Sequence, residues 1–310
     1  MLPIQRRAAL RAICLGIATM PISTNLAGCG APPVNPNVSA LLTVNEILPG
    51  PHRFPFLLLD TDGTAINGAE VRASFFQLRE DLDDLRFQTY AAEQTIVTTS
   101  DHIHSDGSIH KHSDTRSYYL VSDTAFEEGL WRSDMEVQPA NGSAYSLSTA
   151  FQVLSSTNSP NVGERIPSSI NPTASDVPDL SLITTAVTPE PGMYEFTVAD
   201  VLASGDPLVV AFSTPAFCRS RMCGPVTTVV AKLYKRWRKH VRFVHIEPFN
   251  LSVARTAGRL ELTDLAGDWN IRTEPWVFVI DRNGLVSARF EGTVGENELE
   301  PAIATVANHR

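Results

Sequence analysis

The chain has 310 residues, 43% of them apolar, so it has room for two ordinary domains with packed cores and does not read as a disordered chain. A formal net charge of −9 argues against nucleic acid as a partner, because phosphate binding needs a basic surface to displace counterions. Beyond the N-terminal segment, no apolar run is long enough to cross a bilayer as a helix.

Residues 1–28 read as an export signal and stand outside the fold. Arg6, Arg7 and Arg11 form a positive start, and an apolar run without acids follows from Ala12 to Leu26. The run ends in Leu26-Ala27-Gly28-Cys29, which resembles the lipobox of bacterial lipoproteins. That resemblance implies cleavage before Cys29 and a diacylglycerol on its thiol. The chain would then be exported and lipid-anchored, at the outer face of the cytoplasmic membrane or in the periplasm. Two acyl chains are what stable anchoring takes. An ordinary secretory signal with a chance cysteine is the plainer alternative, and Arg6-Arg7 is a partial match to a twin-arginine signal. Cys14 leaves with the signal and Cys29 carries lipid, so Cys218 and Cys223 are the thiols that remain. In an oxidising compartment this pair is expected to spend part of its time as a disulfide.

Residues 29–39, rich in Pro, Asn and Ser, read as a tether. Residues 40–155 read as all-β. Strands are expected at 53–60, 70–78, 87–99, 116–122, 130–138 and 144–154, punctuated by turn residues such as Asn67-Gly68, Gly129 and Asn141-Gly142. Short strands with regular turn signals suggest an antiparallel sandwich. Phe126-Glu127-Glu128-Gly129-Leu130-Trp131 loosely resembles the turn into the core Trp of bacterial immunoglobulin-like modules, which implies an immunoglobulin-like β-sandwich. Any small sandwich fits the same residues.

Within this region Asp101-His102-Ile103-His104-Ser105-Asp106-Gly107-Ser108-Ile109-His110-Lys111-His112 holds four of the eight histidines. His-x-His on a strand puts both rings on one face. Pairing about Gly107 sets His104 opposite His110 and His102 opposite His112, and four neutral imidazoles on one face suit Cu²⁺, Zn²⁺ or Ni²⁺. A two-residue turn at Asp106-Gly107 would split the pairs between faces. A solvated hairpin with incidental histidines is the bland alternative.

Residues 156–192 are dominated by Ser, Thr, Asn and Pro and read as a linker, with Ile166, Ile170, Leu180, Leu182 and Ile183 offered for docking on a neighbouring domain. Residues 193–310 alternate strand and helix. Thr197-Val198-Ala199-Asp200 opens a short helix as a capping box, closed by Gly205-Asp206-Pro207. A fully apolar strand is expected at 208–212, an amphipathic helix at 226–240 with basic last turns, and a strand at 241–247. A further helix falls within 251–269. A hairpin joins strands 276–281 and 285–291 through Arg282-Asn283-Gly284, and a helix closes the chain at 296–308.

An apolar strand, a Cys-bearing loop at a helix start, and Thr273-Glu274-Pro275-Trp276 before a later strand together resemble the thioredoxin-like superfamily over about residues 193–308. The resemblance implies an α/β three-layer thioredoxin-like domain, with Pro275 in the family's cis-proline position beside the redox cysteine. Phe217, Arg221, Glu274 and Trp276 would then border a substrate groove. The departure is the spacing. The family uses Cys-x-x-Cys, whereas four residues separate Cys218 from Cys223, and Cys223-Gly224-Pro225-Val226 carries Val where the family has its second Cys. Residues five apart do not share a helix face, so Cys218 must lie in the loop before the helix. Either thiol can be the attacker. Cys223 is slightly preferred, because the helix dipole with Arg219 and Arg221 nearby would lower its pKa.

The sequence therefore reads as a membrane-anchored thiol–disulfide oxidoreductase with Cys218, Cys223 and Pro275 as its working residues and an exported thiol or disulfide protein as partner. The plain alternative is a structural disulfide, though so short a loop gains little from closure. The competing class is a copper or zinc binding or delivery module that uses the His hairpin on a non-catalytic scaffold. Copper-delivery members of the thioredoxin-like superfamily combine a Cys pair with a distal His, and no His follows Pro275 in the hairpin region here. Thr214-Pro215-Ala216-Phe217-Cys218 only faintly resembles a peroxiredoxin loop.

Overall fold

The seven strands of the N-terminal region join into one antiparallel sheet. In the computed structural model they are β1 (Val38–Leu42), β2 (Gly50–Asp60), β3 (Glu70–Leu78), β4 (Asp83–Ile103), β5 (Ile109–Phe126), β6 (Gly129–Gln138) and β7 (Tyr145–Val153). Their order across the sheet is β1-β2-β5-β4-β3-β6-β7. The structure describes residues 31–79, 83–103, 109–218 and 221–308. Residues 1–30, which hold the expected export signal and Cys29, and also His104 and Arg219 lie outside the described residues.

β4 explains the curl of this sheet. Residues 83–91 pair with β3, while residues 92–103 pair with β5. The two edges then meet. Val34 bridges Ser146 and Ile47 bridges Val153 in parallel, and Leu154 N–H donates to the Ile47 carbonyl at 2.8 Å. The result is a nearly closed barrel. Where the turn spacing suggests a two-sheet sandwich, pairing across both halves of β4 makes one continuous sheet.

Alternation fills the interior. In β3 every second residue from Val71 is buried, and Trp131, Met135 and Val137 face them from β6. The centre is aromatic: Phe54 meets Phe75 edge-on at 5.0 Å, and Trp131 meets Phe126 edge-on at 5.1 Å. The indole Nε1–H of Trp131 donates to the Glu127 carbonyl at 2.8 Å, which satisfies its one polar group. Residues 33–35, within the expected tether, bond to Ser146 of β7.

The C-terminal region is a four-stranded mixed sheet in the order β11-β10-β8-β9, with β8 (Leu208–Phe212) parallel to β9 (Arg242–Ile246) and antiparallel to β10 (Trp276–Ile280). β11 (Val286–Glu291) forms the hairpin edge. Helices flank both faces: α1 (Val198–Ser204), α2 (Cys223–Trp237), α3 (Leu251–Ala257), α4 (Asp264–Asp268) and α5 (Glu296–Asn308). α1 has the expected capping box between Thr197 and Asp200, and Gly205 ends it at φ +70°.

β8 is buried on both sides, and its two faces feed two cores. Val209 and Ala211 pack with Val226, Val229 and Leu233 of α2, with Leu299 and Ile303 of α5, and with Leu57, Ile96, Tyr118 and Leu120 on the barrel's outer wall. Leu208, Val210 and Phe212 pack with Val198, Val201, Ala266, Trp269 and Phe278. The barrel and the mixed sheet thus share a core, and residues Pro32–Arg310 cluster as one compact unit. The segment between the regions lies on this body. Ile166 is buried and Leu180 and Ile183 pack at the edge of the core, whereas Ile170 and Leu182 are exposed. Among the described residues no helix is long and apolar enough to cross a membrane.

Candidate functional site

The site forms where β8, α2 and the turn before β10 converge. After Phe212 the chain runs through buried Ser213 and Thr214 and turns back, with Phe217 N–H donating to the Thr214 carbonyl at 3.2 Å. Cys218 follows the turn. Arg221 then adopts φ +59°, a left-handed conformation uncommon outside glycine, and Cys223 opens α2. Cys218 is half-buried, Cys223 is fully buried, and the two are not joined in a disulfide.

The fold-back brings the sulfurs together. Cys223 N–H donates to Cys218 Sγ at 3.2 Å. A sulfur of Cys218 therefore sits on one of the unpaired N–H groups of the helix start, where negative charge is favoured. Glu274, in the turn before β10, joins them. Its carboxylate and both Sγ atoms all lie within 4.8 Å of one another. The Glu274–Pro275 peptide is cis and Pro275 is buried.

The electrostatics differ from the sequence expectation at Cys223. The helix start does not lower its pKa. Burial pushes the thiol strongly up, and neighbouring Cys218 and Glu274 add to the effect. Desolvation penalises a buried thiolate more than one turn of helix dipole favours it. Cys218, on the exposed side with Cys223 N–H on its sulfur, is the sulfur better placed to carry charge.

The remaining expected residues distribute unevenly. Phe217 is half-buried beside Cys218, and Arg221 is exposed. Trp276 does not border an open groove. It is 2% exposed, stacked on Phe278 at 5.3 Å, with the Arg289 guanidinium 4.7 Å from the centre of its ring. Period-two alternation from buried Phe278 sends Trp276 inward. The His hairpin pairs in a different register from the one expected about Gly107. His102 lies opposite His110, and His112 lies opposite Ser100. His104 and the side chains of the hairpin lie outside the described residues, and among the described residues the ligand cluster found is Cys218, Cys223 and Glu274.

Two buried groups beneath the loop escape sequence reading. His245 lies within the apolar strand β9 and is 2% exposed. Its Nε2 is 2.7 Å from Ser213 Oγ and its Nδ1 is 2.8 Å from the Tyr194 hydroxyl. Ser213 Oγ contacts Thr227 Oγ1 at 2.7 Å, and Thr227 donates to the Cys223 carbonyl at 2.7 Å. Burial holds the imidazole down at a pKa of about 4, so it is neutral at pH 7. Glu247 accepts from the N–H and hydroxyl of Thr185, both at 2.6 Å, and Ala216 N–H donates to Thr185 Oγ1 at 3.0 Å. Burial raises the Glu247 pKa, against the hydrogen bonds from Thr185 that lower it. The signal available in sequence was a His and a Glu in an apolar strand, which does not separate a network from an accident.

No family model matches the chain, and no match was found among curated proteins or solved structures.

Proposed function

We propose that the chain is a metal-binding protein whose site is Cys218, Cys223 and Glu274, and that it takes a thiophilic ion, Zn²⁺ or Cu⁺. One observation carries this reading: two thiols not joined in a disulfide and a carboxylate hold their ligand atoms within 4.8 Å of one another. Tetrahedral ligands about 2.3 Å from zinc stand about 3.8 Å apart, so closure needs an inward shift of at most about 1 Å. Two thiolates and one carboxylate suit zinc, and the sulfurs suit Cu⁺. The ion would neutralise three like charges that otherwise repel and would remove the reason for Cys223 to keep its proton. Export and a lipid anchor at Cys29 belong to the same proposal and rest on the signal-like N-terminus.

Thiol–disulfide exchange is the second reading, and the Cys223 N–H on Cys218 Sγ favours it. In it the Cys218 thiolate attacks a disulfide of an exported partner. A mixed disulfide forms and one partner thiolate leaves. Cys223, once deprotonated, attacks Cys218 Sγ, closes the intramolecular disulfide and releases the second thiolate, so the partner gains two electrons. Strand order and Pro275 before β10 support the thioredoxin-like resemblance behind this reading.

Zinc competition against a chromophoric chelator, run on the reduced full chain without oxygen, tests the choice. The metal reading expects one ion per chain, lost in Cys218→Ser and in Cys223→Ser and retained when His102, His110 and His112 become Asn. Binding that survives both Cys→Ser variants sinks it. Failure to bind, with reduction of a small disulfide that both cysteines are needed for, moves the assignment to the second reading.

A further inference from the structure

Glu274 is not held by its own strand alone. The residues on either side of it are both tied to the end of β11. Thr273 Oγ1 donates to Glu291 Oε1 at 2.6 Å, and Gly292 N–H donates to the Pro275 carbonyl at 2.8 Å. Trp276 Nε1–H donates to the same Thr273 Oγ1 at 3.0 Å, which fixes the direction of its hydroxyl. The turn that presents Glu274 is therefore pinned at both shoulders.

Those pins are in turn held from the barrel. Glu291 is 5% exposed, and its carboxylate accepts three hydrogen bonds from the loop after β1: Asn45 N–H and Glu46 N–H, each at 2.8 Å, and Asn45 Nδ2 at 3.0 Å. Gly292 sits at φ +71° against the Thr43 carbonyl, where a Cβ would come within 1.8 Å of that oxygen. Thr43 and Thr293 share a buried hydroxyl contact at 2.8 Å. Four donors saturate the Glu291 carboxylate, three from the barrel and one from the ligand turn. A group that bonds on both sides of a contact transmits position from one to the other.

We infer that Glu291 is a positioning residue for the metal site, clamping the turn that carries Glu274 to the barrel's Asn45–Glu46 loop. The inference rests on the metal reading above and assigns the barrel a part in it, because the third ligand takes its place from contacts the mixed sheet does not supply alone. Residues that orient ligands from outside the site change metal affinity on the order of 10-fold to 100-fold when altered.

The test is a double-mutant cycle on the reduced full chain, with Zn²⁺ affinity and the Co²⁺ ligand-field spectrum as readouts. Glu291→Gln keeps the shape but puts an amide where the carboxylate took in four donors. Thr273→Val removes only the hydroxyl and serves if the first variant folds poorly, as judged by its urea midpoint. Either substitution is expected to weaken Zn²⁺ binding about 10-fold and to shift the Co²⁺ spectrum to that of Glu274→Gln. Combined with Glu274→Gln, neither should weaken binding further, since the ligand it places is already gone. Unchanged affinity in both variants, or losses that add fully to that of Glu274→Gln, overturns the inference while leaving the metal reading intact. Absence of binding by the wild-type chain overturns the metal reading first, and this inference with it.

Discussion

His245 makes stability depend on pH in a direction the buried site dictates. The perturbation is acidification from pH 7.5 to pH 4. In the unfolded chain this imidazole has its ordinary pKa of 6.5, while burial holds it at about 4 in the fold. Below pH 6.5 the unfolded chain takes up a proton that the folded chain refuses, so stability falls as pH falls toward 4 and levels off below it. The gap is worth about 3 kcal/mol at 1.36 kcal/mol per pKa unit. Other groups titrate over the same range, so the measurement must be a difference. Urea denaturation of the wild type and of His245→Gln at half-unit pH steps supplies it, because groups common to both proteins cancel. At pH 7 the wild type should be the more stable, since the variant disturbs the bonds to Ser213 and Tyr194. That advantage should shrink by about 3 kcal/mol on going to pH 4. An advantage that stays constant with pH would refute the burial reasoning. The neutral imidazole supports Ser213 and, through Thr227, the Cys223 carbonyl. Acid should therefore loosen the first turn of α2 before the rest of the chain.

Iodoacetamide should modify Cys218 at least ten times faster than Cys223 in the folded reduced chain, read by peptide mass mapping; equal rates would contradict the burial of Cys223. Zinc uptake should release protons near neutral pH and tighten as pH rises, because Cys223 enters the reaction protonated. A pH-independent isotherm between pH 6.5 and 8.5 would contradict that. Glu247→Gln should stabilise the fold by about 1 kcal/mol at pH 7, since burial opposes ionisation of this carboxyl and an amide carries no charge to bury. Its gain should start to fall as pH drops through the raised native pKa and vanish below the ordinary carboxyl value of 4.5, where folded and unfolded chains are both neutral. Trp131→Ala should cost about 3 to 5 kcal/mol by denaturant titration, because a fully buried indole in an aromatic cluster leaves a void that its neighbours do not fill.

Local elements were legible wherever one residue pattern admits one structure. β-Branched and aromatic residues placed β3 at 70–78, and the terminal helix fell at 296–308 as expected. Thr197, Asp200 and Gly205 marked both ends of α1 because caps are chosen by backbone chemistry within four residues. The proline before β10 and the cysteine near the start of α2 were picked out by a motif resemblance, not by local caps. The placement of the loop segment was only half legible: Ile166 found the core and Ile170 did not, although composition treats them alike.

The amino-acid order by itself placed most of the strands and helices, though not β1, which begins inside the expected tether, nor the first turn of α2, and it set two thiols and an acid-proline pair at turns. Only the tertiary structure decided which of them meet. Register is a long-range choice, so His102 found His110 instead of His112, and β4 took a different partner for each half. Burial is likewise decided by what packs on top, which turned Trp276 inward and raised the Cys223 thiol against its helix dipole. Glu274 lies 51 residues beyond Cys223 in the chain, and nothing local relates them. They share a site because the strand order sets β10 beside β8, and because the barrel holds the turn before β10 in place.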